Sequence, residues 1–121
     1  MPQIFFDTYA IIELIKGNKA YANYLDFTPV INDFVLAELC YCLLKDYGEE
    51  KMEEYFKKYS AAALRTSAKS INEAMKFRKQ NSRKNLSMVD CIGYTHAKEL
   101  KIKFLTGDQQ FEKMENVEYV K

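Results

Sequence analysis

The chain has 121 residues, 48% of them hydrophobic and 14% aromatic, with a formal net charge of +1. That length suits one domain able to withdraw about two thirds of its unfolded surface from water, and the composition excludes a disordered chain. No run approaches the roughly 18 to 20 apolar residues of a membrane span, and Met1-Pro2-Gln3 is not the start of a signal peptide, so the expected setting is the cytoplasm.

Gln3 to Phe6 is a short apolar run that predicts a buried strand. Thr8 to Lys16 follows as a helix carrying Ile11, Ile12 and Ile15, closed by Gly17. Asn18 to Leu25 predicts a second short helix, and Val30-Ile31 a brief strand ahead of Asn32-Asp33, either of which suits the cap of the next helix. From Phe34 to Lys45 the sequence is apolar nearly all round, the pattern of a helix buried in the domain. Gly48 breaks the chain before Glu49 to Tyr59, an amphipathic, heavily charged helix with Met52, Tyr55 and Phe56.

Ala61 to Leu64 is a weak strand, and Ser67 to Gln80 a helix with Ile71, Ala74, Met75 and Phe77 turned inward. The polar stretch Asn81 to Asn85 reads as an exposed loop. Ser87 to Leu100 is a further helix, Ile102 to Leu105 a clear strand, Gln109 to Lys113 one helical turn, and Val117 to Val120 an edge strand. Short strands alternating with helices predict a single α/β domain over residues 1–121, three layers deep, with a short, mainly parallel sheet between helices. Cys40, Cys42 and Cys91 are odd in number and lie in apolar helical patterns, which predicts reduced core residues and no disulfide framework.

Four acids interrupt this apolar pattern. Asp7 ends Ile4-Phe5-Phe6, Glu38 is the only charge between Phe34 and Leu44, Asp90 lies between Met88-Val89 and Cys91-Ile92, and Asp108 follows Phe104-Leu105-Thr106-Gly107. Carboxylates are rarely buried without a partner, because removing water from the ionised group costs several kcal/mol or more. None of the four has a basic residue beside it, which makes a divalent cation the first partner to seek. Asp7 and Asp108 fall at the carboxyl ends of strands, where open parallel sheets gather function. An all-oxygen set suits Mg²⁺ or Mn²⁺. Such ions promote phosphodiester hydrolysis by acidifying water and stabilising the oxygens of an in-line displacement, one ion or two serving.

Structural alternatives stand beside each acid. Asp7 also fits a helix cap, Ser87-Met88-Val89-Asp90 a capping box, and Gly107-Asp108 a turn, whereas Glu38 lies inside a helix where no capping role is open. Thr8, Ser87 and Thr106 flank the acids and are placed to orient a carboxylate, and turn or cap roles explain them equally well. His96, the sole histidine, reads as a helix-surface or core residue. Arg65, Lys69, Lys76, Arg78, Lys79, Arg83 and Lys84 stand against the single acid Glu73, a local charge of +6 that leaves −5 on the remainder. That asymmetry is a candidate footprint for a polyanion or, taken alone, a solvated helix face.

Phe5-Phe6-Asp7-Thr8, Glu38 in Val35-Leu36-Ala37-Glu38-Leu39, Leu86-Ser87-Met88-Val89-Asp90 with Ala97 beyond, and Phe104-Leu105-Thr106-Gly107-Asp108-Gln109-Gln110-Phe111 together resemble a PIN domain over essentially the whole chain. The resemblance implies a metal-dependent endoribonuclease of the VapC type, the toxin of a toxin–antitoxin pair. Asp7, Glu38, Asp90 and Asp108 would then be its metal-binding and catalytic acids, with Mg²⁺ or Mn²⁺ as cofactor. A homodimer and a small antitoxin covering the acidic cleft are further implications. The Ser or Thr usual before the central helix is replaced here by Asn32-Asp33.

Two other functions compete. A phosphoacceptor receiver-like domain shares the size and strand-end acids, but needs paired acids after the first strand and a Lys after the last. Here those strands end in Phe6-Asp7-Thr8 and Thr106-Gly107-Asp108. A non-catalytic module holding RNA or a partner through the basic segment is the third, and the intact set of four acids argues against it.

Overall fold

The computed structural model describes residues 2–121. Its strands are β1 (Gln3–Phe6), β2 (Thr28–Asn32), β3 (Ala63–Leu64), β4 (Phe104–Thr106) and β5 (Val117–Tyr119). The helices are α1 (Thr8–Ile15), α2 (Asp33–Tyr47), α3 (Glu49–Ser60), α4 (Ala68–Gln80) and α5 (Met88–Leu100). The strands form one sheet in the order β3-β2-β1-β4-β5, and every pairing is parallel. The sheet and its flanking helices make the predicted three-layer α/β/α arrangement.

Strand β1 is apolar because it is central: Phe5 pairs with Val30 of β2 on one side and with Phe104 of β4 on the other. The chain leaves β1 in one direction for β2 and β3, and returns on the other side as β4 and β5. The carboxyl end of β1 is therefore the switch point of the sheet, where a crevice opens between diverging connections.

Phe5, Phe6, Ile11, Ile31, Leu39, Leu43, Phe104, Leu105 and Phe111 are the buried heart of the core. Removing each such side chain from water contributes about 1.5–3 kcal/mol. Phe104 meets the Tyr94 ring edge-on at 5.8 Å and lies 5.1 Å from the Phe111 ring. Helix α5 reaches this cluster through Gly93, where an added Cβ would stand 3.1 Å from the Phe104 ring and 3.2 Å from the Phe5 ring.

Several local expectations are revised. Helix α2 is not buried all round: Val35, Leu39 and Leu43 face the core at four-residue spacing, while Tyr41 is 65% exposed and Leu44 and Tyr47 also face solvent. Its apolar residues are too many for one face, and only one face is covered. Ile71 of α4 points outward, whereas Ala74 is buried and Met75 and Phe77 are half-buried. The segment after Gly17 is a 3-10 stretch over Lys19–Asp26, opened by the Asn18 side chain accepting from the Ala20 N–H at 2.9 Å. Strand β2 is longer than Val30-Ile31, and Gln109–Phe111 is a single 3-10 turn. Cys91 is buried, but Cys40 and Cys42 are only half-buried on α2; all three are free.

Asn32 settles which residue caps α2: its Oδ1 accepts the Val35 N–H at 2.9 Å. Its Nδ2 then faces His96 Nδ1 at 3.1 Å. An amide nitrogen can only donate, so Nδ1 accepts, and the ring is neutral with its proton on Nε2. Burial holds the His96 pKa below its ordinary value, in keeping with that state. His96 is the core residue that was one of its two expected roles.

Candidate functional site

Asp7, Asp90 and Asp108 are each held at the backbone start of a helix or 3-10 turn, and Glu38 is not. Asp7 caps α1, its Oδ1 accepting the Ala10 N–H at 2.7 Å, while its own N–H donates to Leu105 O at 3.1 Å. It is only 4% exposed. Burial pushes its pKa from 3.8 up to about 7, against the opposing hydrogen bonds from Thr106 and Ala10 and with a further push from the charges of Asp90 and Asp108. The Thr106 hydroxyl thus serves two acids, bonding to Asp7 and accepting the Asp108 N–H at 3.0 Å.

Asp90 completes a capping box at the start of α5. Its N–H donates to Ser87 Oγ at 3.0 Å, and its Oδ2 accepts the Ser87 N–H at 3.0 Å. Burial raises its pKa, the Ser87 bonds lower it, and the charges of Glu38 and Asp108 raise it again. Asp108 caps the last 3-10 turn, with Oδ1 accepting the Gln110 N–H at 3.0 Å. Glu38 lies in the second turn of α2, half-buried, with no hydrogen bond among the described residues. Glu38 has no capping role, as its place inside the helix implied, but it is only half-buried. Asp7 is the buried acid, because it sits inside the sheet's central crevice, whereas Glu38 leans out from a helix covered on one face.

All four acids line one open cleft at the carboxyl ends of β1 and β4. The caps do not compete with this grouping, since each takes an oxygen already used for backbone bonding. Asp90 Oδ1 and Asp108 Oδ2 accept no hydrogen bond among the described residues. No three Asp, Glu, His or Cys side chains among the described residues are drawn together as a closed metal centre. The donor set nonetheless fits a hard divalent cation: it is all oxygen, and Thr8 Oγ1 on the same wall is buried without a partner among the described residues.

Several cleft residues were not singled out as site residues in the sequence, Glu13, Gln109 and Tyr119 among them. Tyr9, Ile12 and Lys16 come from α1 and Lys121 from the end of the chain. The first three share one helical face, since Ile12 and Lys16 stand at i+3 and i+7 from Tyr9, but nothing in the spacing ties that face to Asp7. The seven basic residues are split. Arg78 Nε donates to Leu86 O and Lys84 Nζ to Gln110 O, beside the loops carrying Asp90 and Asp108. Lys69 and Lys76 instead line a groove between α4 and α5, with Lys76 3.5 Å from Glu73. Lys79 lines hollows along α4, and Arg65 and Arg83 are exposed. None of the seven lines the acidic cleft itself.

The backbone arrangement is shared by solved structures. The Mycobacterium tuberculosis toxin VapC20, a sarcin-ricin loop cleaving toxin, is similar with a TM-score of 0.79 at 18% identity, over 98% of this chain and 100% of that one. A toxin–antitoxin complex from Klebsiella pneumoniae gives 0.76 at 17% identity over 96% of each chain. VapBC2 from Rickettsia felis, bound to a DNA fragment from its promoter, gives 0.74 at 20% identity over 98% of each. At such identities the likeness is one of fold. No curated protein matches the sequence. The family profile of the PIN domain, however, matches residues 4–117, and the chain belongs to the PIN domain family.

Proposed function

We propose that this chain is a metal-dependent endoribonuclease, the toxin of a toxin–antitoxin pair, in which Asp7, Glu38, Asp90 and Asp108 hold Mg²⁺ or Mn²⁺. The observation that carries this reading is that four carboxylates from four separate segments line one cleft at the switch point of the sheet. A cation bound there supplies Lewis acidity toward a phosphodiester oxygen and makes water a nucleophile at neutral pH. The chain's own residues hold the acids ready. Thr106 ties Asp7 to the Asp108 turn, and Ser87 fixes one oxygen of Asp90. Gln110 fixes one oxygen of Asp108 through its N–H, while its side chain accepts the Asn85 N–H and donates to Asn85 O, clasping the loop that leads to Asp90.

Thr8, with its unpartnered hydroxyl, is the side chain free to orient a polar group in the cleft. The basic residues nearest the site, Arg78 and Lys84, would meet the RNA backbone, with Arg65, Lys69, Lys76, Lys79 and Arg83 as outlying contacts, giving strong salt dependence. Toxin–antitoxin complexes among the structures of the same fold support a small antitoxin as partner. A homodimer belongs to the same reading and is tested by sizing in solution.

Incubation with mixed RNA and Mn²⁺ tests the activity. Cleavage should stop on adding chelator and should be lost in Asp7→Asn. Cleavage that persists in chelator, or in that variant, refutes the metal mechanism.

A further inference from the structure

Helix α1 turns a second chemistry toward the acids. Tyr9, Ile12 and Lys16 lie at i, i+3 and i+7 on its cleft-facing side. Tyr9 is 42% exposed, unusual for a large aromatic one residue from the buried start of a helix. Its ring rests on Gly107: a Cβ there would stand 2.2 Å from the Tyr9 ring and 2.8 Å from the Tyr21 hydroxyl. The φ of Gly107 is not in the left-handed region, so the glycine answers to this close approach and to no need of the backbone. Tyr21 supports the ring from behind, its centroid 6.4 Å away. Tyr9 is thus a seated aromatic surface on the wall of a cleft otherwise defined by carboxylates.

Acids repel a polyanion, so a nuclease cleft needs attractive contacts that carry no phosphate-directed charge of the wrong sign. Base faces supply one, because stacking on an aromatic ring is worth about 1–3 kcal/mol per base and is tolerant of sequence. The cations of this cleft are Lys16 and Lys121. Lys16 lies 3.7 Å from the half-buried Glu13 but is itself exposed, which leaves its ammonium free to turn toward a phosphate.

Resting on the ribonuclease reading, we propose that this face of α1 is a base-stacking subsite. The Tyr9 ring, seated on Gly107, takes one unpaired RNA base with Ile12 beside it, and Lys16 and Lys121 hold the adjoining phosphates. The subsite makes unpaired nucleotides the preferred substrate next to the scissile bond.

The chain contains no Trp, so Tyr9→Trp introduces a single indole at the proposed subsite. Its emission should be quenched by a short single-stranded oligoribonucleotide and not by an abasic oligomer of the same length and charge. In steady-state cleavage with Mn²⁺, Tyr9→Phe should keep the wild-type KM, and Tyr9→Leu should raise it roughly 5- to 100-fold. Equal quenching by the abasic oligomer, or a wild-type KM in Tyr9→Leu, overturns the subsite while leaving the nuclease reading intact. Wild-type protein that neither binds nor cleaves RNA overturns both.

Discussion

Replacing Asp7 by Asn should stabilise this protein while removing the proposed activity. Asp7 is buried, and its pKa rises from 3.8 to about 7. The folded state therefore holds a proton that the unfolded state releases, and stability falls as pH climbs between those two values. At about 1.4 kcal/mol per pKa unit, the full cost at pH 8 has an upper limit of about 4 kcal/mol, reduced by whatever relaxation admits water. Asn caps a helix as well as Asp does, so the bond from the Ala10 N–H survives.

Urea unfolding in chelator, followed by circular dichroism, should show the variant more stable than wild type by about 1–4 kcal/mol at pH 8, with the gap closing toward pH 4. Adding Mg²⁺ or Mn²⁺ at pH 8 should return stability to wild type and do much less for the variant, about 2.7 kcal/mol at a hundredfold excess over Kd. A variant no more stable than wild type at pH 8, with no pH-dependent gap, refutes the burial argument. Equal stabilisation of both proteins by the cation refutes Asp7 as its ligand.

Ser87→Ala removes the hydroxyl that accepts the Asp90 N–H, while the backbone N–H that donates to Asp90 Oδ2 stays, and it should cost about 0.5–2 kcal/mol by denaturant unfolding. Because the backbone N–H of residue 87 still holds Asp90 Oδ2, its loss of cleavage should be no greater than that of a cap removed elsewhere, such as Ser67→Ala at the start of α4. Asn32→Ala removes the α2 cap and leaves His96 Nδ1 without its donor, so a loss of about 2–4 kcal/mol is expected. Gly93→Ala drives a methyl against the Phe104 and Phe5 rings. It should cost about 1–3 kcal/mol, seen as a lower urea midpoint at unchanged slope.

Much of the fold was legible because local rules and the sheet agreed. Ile4–Phe6 is apolar without interruption and lies in the central strand, and Ser87 announces α5 through its spacing to Asp90. The readings that failed needed knowledge of what covers each face. The apolar residues around α2 do not distinguish a buried helix from one with Tyr41, Leu44 and Tyr47 left outside. For the same reason Glu38 looked like the anomaly, and Asp7, which has an ordinary capping role, carries the buried charge. The charge run from Arg65 to Lys84 is contiguous in sequence but is dispersed by a helix and a loop, so only part of it reaches the site. Lys121 was invisible as a cleft residue because nothing local relates it to Asp7.

Strand β1 takes one neighbour early and the other almost at the end of the chain. On a ribosome adding about 5–20 residues each second, roughly 5 to 20 seconds pass between the making of Asp7 and of Asp108. Throughout that interval Leu105 and Thr106 are missing, so Asp7 has neither the carbonyl nor the hydroxyl that holds it. The cleft is therefore completed only when β4 pairs with β1 and sets the Asp108 turn beside Asp7.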